Sequence, residues 1–453
     1  MRSVSSPPVR GRGGSDAALA VLSVAQFLIA VDFSIVYVAL PGIARDLGLG
    51  PAAAQWVVSA FAVFFAGFLL VGGRLADRVG GRPLFVAAVC VFGGASVLGG
   101  LAQEGVALLA ARAAQGVGAA LLQPAVLALL GSRFAAGAER GRALAVWGAV
   151  GAAGLAAGVV LGGVLGSLSW RLTFWVNVPL VLVCAAGGLA WFGRDGGDRE
   201  ARVPLLASVL GTGAVLAVVA ALSAGAEDGG VGGGYVPAAL VLVAAFVAHE
   251  ARGRRALVDR ELRRTGSLRL GAVATALYMA SVGSEFYLVT LSLQSLRGFS
   301  ALAAGLAFLP LAAIVTVGNV VAGRLVRGVH AGVVLAGGFA LAAAGLGWLA
   351  VAGGSGSYAA GMLGGLLVSG FAHGVIYTAM FVIGTRDVAA ARQGTAGAVL
   401  TTSQYVSSAV AVAVLTLVLQ AVPGPAGFAA AFWVTAGAAA AGVAVGVAAW
   451  RRG

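Results

Sequence analysis

The stretch FLIAVDFSIVYVALP, residues 27–41, is a nearly unbroken apolar run that contains a single carboxylate, Asp32. Comparable runs of about 20 residues recur along the whole chain, and that length crosses a hydrocarbon core of roughly 30 Å. Of the 453 residues, 60% are hydrophobic and 10% are charged, whereas a soluble domain has about 25% charged residues. The sequence therefore predicts an all-α polytopic membrane protein.

The apolar runs predict fourteen transmembrane helices. Their expected positions are 17–41, 52–72, 83–102, 106–130, 143–166, 171–192, 204–223, 233–249, 269–293, 301–323, 329–351, 358–383, 395–419 and 428–450. The resulting domains are an N-terminal cytoplasmic tail (1–16), a six-helix bundle (17–192), two additional helices (193–249), a cytoplasmic linker (250–268) and a second six-helix bundle (269–453).

Arginine indicates the orientation of these helices. All 29 basic residues are arginines, and nearly all lie on alternate connections. Only Arg45, Arg171 and Arg297 fall on the opposite side, and Arg112 lies within a span. Since positive residues concentrate in cytoplasmic loops, both termini are expected in the cytoplasm. The arginines form no basic groove interleaved with aromatic residues, so the net charge of +13 does not predict a nucleic-acid partner.

Two similar loops suggest that the chain is internally doubled. GRLADRVGGRPLF at 73–85 follows the second predicted span, and GRLVRGVHAGVVL at 323–335 follows the tenth. If the seventh and eighth helices are insertions, the remainder forms two pseudo-symmetric bundles of six, a plan that many secondary transporters use.

Four motifs give the chain a family resemblance. They are VDFSIVYVALP (31–41), GRLADRVGGR (73–82), LLAARAAQGVGAA (108–120) and GLAAGVVLGG (154–163), the last followed by WRLTFWVNVP. On these motifs the chain resembles the major facilitator superfamily, specifically its fourteen-helix drug:proton antiporter branch. The matching residues are Asp32; Gly73, Asp77, Arg78, Gly80 and Arg82; Arg112, Gln115, Gly116 and Gly118; and Gly154, Gly158, Gly162 and Gly163. One departure is Val159, which stands where the antiporter motif usually has proline.

The resemblance implies roles for two of these motifs. In the family that the chain resembles, the loop 73–82 latches the two halves on the cytoplasmic side, and here Asp77 is expected to cap the next helix and pair with arginine. The alternative is a plain positively charged cytoplasmic loop. Gly154, Gly158 and Gly162 recur every four residues and can bring backbones close together in lipid. They predict either a pliable contact between the halves or ordinary helix packing.

Ionisable residues inside predicted spans mark a candidate site, because a charge near mid-bilayer costs at least about 2.5–3.5 kcal/mol. These residues are Asp32, Arg112, Glu285 and His373. At about 1.5 Å per residue, the first three lie about 13, 9 and 12 Å below the outer ends of their helices. We therefore expect Asp32, Arg112 and Glu285 within reach of one another and predict that they couple protons to transport. The alternative is a static Asp32–Arg112 pair, and for His373 a packing role is preferred to a proton relay.

These features predict a secondary active transporter that exports hydrophobic or cationic drugs or antibiotics by alternating access, driven by the proton gradient without cofactor or metal. The expected partners are a small-molecule substrate, protons and lipid, and the expected location is a bacterial cytoplasmic membrane, as a monomer. The alternatives are an exporter or symporter of another metabolite, such as a siderophore, sugar or amino acid, and more remotely an intramembrane enzyme or receptor. No span supplies a clear catalytic dyad, so we do not expect an enzyme.

The expected substrate cavity is lined by Phe33, Tyr37, Tyr278, Gln294, Asn319 and Tyr377.

Overall fold

A computed structural model describes residues 12–49, 51–135, 137–193, 205–227, 235–252, 258, 260–299, 301–352 and 357–452. The first part of the chain forms α1 (Arg12–Asp46), α2 (Pro51–Val79), α3 (Gly81–Leu101), α4 (Gly105–Arg133), α5 (Ala138–Leu168), α6 (Leu172–Trp175) and α7 (Asn177–Trp191). Two further helices follow, α8 (Leu205–Glu227) and α9 (Tyr235–Arg252).

The second part of the chain is also helical. It forms α10 (Arg260–Arg264), α11 (Gly266–Tyr278), α12 (Ser284–Leu291), α13 (Ala301–Ala307), α14 (Leu309–Leu325), α15 (Ala331–Ala352), α16 (Leu363–Thr385), α17 (Gln393–Ala421) and α18 (Pro425–Arg451). Short π-helical segments at Met279–Gly283, Ser292–Leu296 and Tyr358–Met362 follow α11, follow α12 and precede α16. The predicted all-α membrane fold is confirmed.

Within the described ranges, 12 helical units are long and apolar enough to cross a membrane. The described apolar stretches within α8 and α9 are Val209–Val218 and Val236–Glu250, which fall short of the roughly 20 residues that a span needs. The predicted count of fourteen is therefore not confirmed. Because successive spans run in opposite directions, α1 begins and α18 ends on one face of the bundle, here called the terminal face; the other is the distal face.

Glycines allow the closest approaches between helices. A Cβ atom on Gly116 of α4 would lie 2.5 Å from the Phe61 carbonyl oxygen of α2. On Gly374 of α16 it would lie 2.1 Å from the Val315 carbonyl oxygen of α14. Real side chains do not fit these gaps, so the helices pack backbone to backbone, as is usual in lipid.

Helices α1–α7 and α11–α18 meet mainly towards the terminal face. There, α2 contacts α17, where a Cβ atom on Gly73 would lie 2.6 Å from the Ala398 Cβ atom. Nearer the middle, the Phe65 and Tyr405 rings lie 4.8 Å apart, centroid to centroid. Helix α5 contacts α14, where the Thr316 hydroxyl donates to the Ala149 carbonyl at 3.5 Å. These contacts close the space between the two groups of helices at the terminal face.

Candidate functional site

Asp32 lies at the centre of a fully buried polar cluster. One carboxylate oxygen, Oδ2, accepts a hydrogen bond from Arg112 Nη1 at 2.7 Å. The other, Oδ1, accepts from Gln115 Nε2 at 2.9 Å and from Asn177 Nδ2 at 2.8 Å. Helices α1, α4 and α7 each contribute to this cluster, so the carboxylate is fixed from three sides.

Arg112 is held as firmly as its partner. Its Nε donates to the Val57 carbonyl at 3.0 Å, and its Nη1 also donates to Gln115 Oε1 at 2.9 Å. The guanidinium lies over the Phe61 ring at 4.6 Å from the ring centroid, which adds a cation–π attraction. The predicted Asp32–Arg112 pair is present, and its contacts are those of a rigid, charge-neutral unit.

Glu285 is in a different environment from Asp32. It is 1% exposed, and its Oε1 accepts one hydrogen bond, from the Ser369 hydroxyl of α16 at 2.6 Å. No ion pair joins it to a cation in the part of the chain that the structure describes. The structure thus brings together two of the three predicted charged residues, while Glu285 lies against α16.

His373 belongs to an aromatic cluster rather than to the charged group. Its Nε2 makes a short hydrogen bond with the Tyr278 hydroxyl, and its ring meets Phe286 edge-on at 5.9 Å between centroids. Tyr377, one turn along α16, stacks on Trp147 of α5 at 5.7 Å. Ser369, His373, Tyr377 and Phe381 recur every four residues, so α16 presents one face to Glu285, Tyr278 and Trp147.

The six predicted cavity residues do not form one group of contacts. Phe33 and Tyr37 lie edge to face at 5.9 Å, and Phe33 also contacts Phe61 beneath Arg112. Tyr37 is 53% exposed, and Gln294 is exposed within the segment Ser292–Leu296. The other three are Tyr278 and Tyr377, which pack on each other, and Asn319, which accepts from the Thr378 hydroxyl at 3.0 Å.

Asp77 makes its contacts across the molecule. Both of its carboxylate oxygens accept from the backbone N–H of Thr395 at 3.3 Å, and Oδ2 also accepts a short hydrogen bond from the Thr395 hydroxyl. Thr395 lies in the first turn of α17, so Asp77 caps that helix. The expectation that Asp77 caps the next helix is wrong: α3 begins after Gly80, whose φ of 93° suits glycine, and no side-chain hydrogen bond caps it.

The other loop residues support this contact. Gly73 lets α2 approach α17, since a Cβ atom there would lie 3.0 Å from the Thr395 Cα atom. Arg82 Nη2 donates to the Leu189 carbonyl of α7 at 3.0 Å, and Arg78 is exposed. The loop therefore ties the end of α2 to α17 and the start of α3 to α7.

The glycine face of α5 packs within its own group of helices. Cβ atoms on Gly154, Gly158 and Gly162 would each fall within 2.8 Å of α1 atoms, and Gly163 is half-buried. The interpretation of these three glycines as a contact between the halves is therefore wrong, because they face α1. Val159, the residue in place of the motif proline, faces the other half, where its Cγ1 atom lies 2.5 Å from a Cβ built on Gly305.

Several of the polar partners at this site are not among the residues predicted from the sequence. Ser96 accepts from Gln115 Nε2 at 2.9 Å, and Asn177 completes the Asp32 cluster. A polar residue inside an apolar span is the signal that could have identified both, as well as Ser369. Thr395 carried no such signal, because hydroxyl residues are common at helix starts.

The chain is similar to known transport proteins in both sequence and structure. The sequence description of the Major Facilitator Superfamily matches residues 22–412. The cephamycin export protein CmcT of Amycolatopsis lactamdurans is 37% identical over 410 residues, which cover 88% of this chain and 84% of that protein. The puromycin resistance protein pur8 of Streptomyces alboniger is 34% identical over 414 residues, 88% of this chain and 81% of that protein.

Solved structures share the fold. The human organic anion transporter MFSD10 superposes with a TM-score of 0.72 at 17% identity, covering 97% of this chain and 100% of that one. FucP in its outward conformation superposes with a TM-score of 0.69 at 15% identity, covering 96% of this chain and 99% of that one.

Proposed function

The chain belongs to the Major Facilitator Superfamily, and we propose that it exports lipophilic antibiotics in exchange for protons. Its relatives include an export protein for cephamycin and a resistance protein for puromycin. A third, from Streptomyces glaucescens, is a tetracenomycin C resistance and export protein that is 30% identical over 350 residues. These names support an antibiotic as cargo, and the chain itself is a transporter, not an enzyme.

The proposal of proton coupling rests on the environment of Glu285. A buried carboxylate without a cation is costly, and a protonated carboxyl group avoids that cost. In this conformation Glu285 accepts one hydrogen bond from a neutral hydroxyl, at 2.6 Å. We therefore assign proton exchange to Glu285, which would release its proton when water or a cationic substrate group reaches it.

Asp32 receives a supporting role in this proposal. Its carboxylate accepts three hydrogen bonds and pairs with Arg112 at 2.7 Å. Protonating it would leave the Arg112 guanidinium buried without a counter-ion, which costs several kcal/mol. We propose that the Asp32–Arg112 unit holds α1, α4 and α7 together while Glu285 exchanges the proton.

The contacts at the terminal face fit a gate. Asp77 and Gly73 of α2 meet the first turns of α17, and separating these helices would open that face. We propose that alternating access breaks this contact and closes the distal face, where Val159 already meets Gly305. The proposed location is a bacterial cytoplasmic membrane, with both termini in the cytoplasm and the protein active as a monomer.

We further propose that α8 and α9 add two spans to the twelve, which gives fourteen. Helix α8 has 23 residues and α9 has 18. Leu216 of α8 packs at Gly67 of α2, where a Cβ atom would lie 2.9 Å from its Cδ2 atom. The proposed domains are therefore 17–192 and 269–453, with 193–249 as an inserted pair and 250–268 as a cytoplasmic linker.

Everted membrane vesicles with an acidic lumen test the proposal. The test compounds are puromycin, cephamycin, tetracenomycin C and lincomycin, the last because a lincomycin resistance protein of Streptomyces lincolnensis is 35% identical over 301 residues. Their addition should release lumenal protons, which a pH-sensitive dye reports. Glu285→Gln should abolish this proton release, because the amide cannot exchange a proton. Glu104→Gln is the matched control, since Glu104 is exposed at the start of α4, and it should behave as the native protein does.

Two results separate the parts of the proposal. If the native protein transports none of the four antibiotics, antibiotic export is wrong. If Glu285→Gln accumulates an antibiotic against its gradient with native proton release, the assignment of Glu285 is wrong while export stands.

A further inference from the structure

A groove of about 510 Å³ lies between α1 and α5 near the terminal face. Asp16 and Arg142 stand at its mouth, with Arg142 Nη2 3.9 Å from Asp16 Oδ1, and both side chains are exposed. Below the mouth the walls are apolar, and they include Leu19 of α1 and Val146 and Val150 of α5. The groove therefore has a charged end and a hydrocarbon-like interior.

The groove is long enough to extend through much of one leaflet of a bilayer. Its lining on α1 extends from Asp16 to Phe27, a distance of about 16 Å along a helix axis. One leaflet with its interfacial layer is about 20–22 Å thick. With its headgroup at Asp16, a lipid of the leaflet at the terminal face would place the first carbons of an acyl chain along the inner part of the groove.

Ser23 gives the groove a polar point at an intermediate depth. Its side chain lines the groove, it is 6% exposed, and its hydroxyl has no hydrogen-bond partner among the described residues. It lies about 10 Å below Asp16 along the helix, whereas the interfacial layer of a bilayer is about 5–8 Å thick. The hydroxyl is therefore placed near the depth where ester carbonyls of lipids meet the acyl chains.

The groove does not continue between the two helices. At its inner end a Cβ atom on Gly154 would lie 3.1 Å from the Phe27 carbonyl oxygen, and one on Gly158 would lie 2.7 Å from that of Val31. This tight seam closes the path from the groove towards the Asp32 cluster. The groove is therefore separated from the Asp32 cluster, which favours a resident lipid over a substrate in transit.

We propose that this groove binds a zwitterionic aminophospholipid from the leaflet at the terminal face. The primary ammonium group would donate to Asp16, the phosphate would accept from Arg142, and an ester carbonyl would accept from Ser23. One carboxylate beside one guanidinium complements a headgroup with one charge of each sign. An anionic phosphoglycerol headgroup leaves Asp16 unmatched, and a quaternary ammonium has no N–H group to donate.

Native mass spectrometry of the detergent-purified protein tests this proposal. The protein is incubated with equal amounts of phosphatidylethanolamine, phosphatidylcholine and phosphatidylglycerol of distinct masses, and the retained lipids are counted. The native protein should retain phosphatidylethanolamine preferentially. Ala20→Phe, which fills the groove at an exposed lining residue, should lower its retention at least fivefold.

Charge variants test the headgroup assignment. Asp16→Asn with Arg142→Gln should remove the preference among headgroups, and Ser23→Ala should weaken retention of all three lipids. The matched control is Arg386→Gln with Asp387→Asn, another exposed ion pair, with Nε and Oδ1 3.3 Å apart; it should change nothing. Each variant is first shown to have the same unfolding temperature as the native protein, so that lost lipid retention is due to the change in the groove.

Three outcomes would overturn the proposal: native retention in Ala20→Phe, preferential retention of phosphatidylglycerol by the native protein, or displacement of the bound lipid by puromycin. The assay uses no ion gradient and no transport step. Its result is therefore independent of whether antibiotic export or proton coupling is correct.

Discussion

Neutralising Asp32 while leaving Arg112 in place should destabilise the protein strongly. In Asp32→Asn the side chain keeps its shape, and its oxygen can still accept from Gln115 and Asn177. What is lost is the charge opposite a guanidinium that is 1% exposed, together with the hydrogen bond from Arg112 Nη1, because an amide NH₂ group now stands in the place of Oδ2. Breaking one member of a buried ion pair costs about 3–5 kcal/mol, so the free energy of unfolding should fall by about that amount.

The double variant separates the charge from the hydrogen bonds. Arg112→Gln alone should cost about 3–5 kcal/mol, because it leaves the Asp32 carboxylate buried without its cation. Combining it with Asp32→Asn removes both charges, and the remaining loss of hydrogen bonds is worth about 1–3 kcal/mol. The double variant should therefore be more stable than either single variant. Denaturant titration in detergent micelles, followed by a double-mutant cycle, measures the coupling.

An exposed ion pair provides the control. Arg171 Nη1 lies 2.5 Å from Asp46 Oδ2, but solvent reaches both side chains, so Asp46→Asn should change stability far less. The hydrogen bonds from Arg171 and Trp170 lower the pKa of Asp46, so its small contribution should disappear as pH falls below the usual aspartate pKa of about 3.9. If the effects of Asp32→Asn and Arg112→Gln simply add, the buried pair is not an energetic unit and the reasoning fails.

Two further predictions concern helix contacts. Asp77→Ala should remove the cap of α17, worth about 1 kcal/mol, and so speed maleimide labelling of a cysteine placed at Ala398 about fivefold; unchanged labelling would contradict the gate. Gly374→Ala should destabilise by about 1–3 kcal/mol, because its Cβ atom would lie 2.1 Å from the Val315 carbonyl oxygen. Thermal unfolding measures this effect, and Gly337→Ala, which has nothing within 4 Å of its Cβ position, should be neutral.

The membrane fold was predictable because hydropathy acts along the chain, one helix at a time. The count of fourteen spans stays a prediction, since the described apolar stretches of α8 and α9 are the shorter segments Val209–Val218 and Val236–Glu250. Depth along a helix predicted the Asp32–Arg112 pair correctly, because both residues lie at similar levels on helices that face each other.

Depth did not predict where Glu285, Asp77 and the α5 glycines make their contacts. The depth of a residue in the membrane does not indicate the face of the helix on which it lies. Glu285 faces Ser369 on α16 rather than the Asp32–Arg112 pair. The sequence predicts that Asp77 caps α3, because that is the nearest helix start. Helix α3 instead begins after Gly80 without a side-chain cap, and the Asp77 carboxylate accepts a hydrogen bond from the backbone N–H of Thr395. The small-residue pattern on α5 identified a tight contact correctly but could not identify α1 as its partner.

The contrast between the two intramembrane acids bears on how such a transporter uses charge. A carboxylate that accepts three hydrogen bonds and pairs with arginine is costly to protonate, because its protonation leaves the Arg112 charge unmatched. A carboxyl group with one neutral hydroxyl partner can gain or lose a proton without disrupting an ion pair. Proton exchange at Glu285 therefore requires only that water or a cation reaches it, whereas exchange at Asp32 requires α1, α4 and α7 to rearrange together. The less constrained acid is the better coupling site, and the more constrained acid is the better anchor for the helices around it.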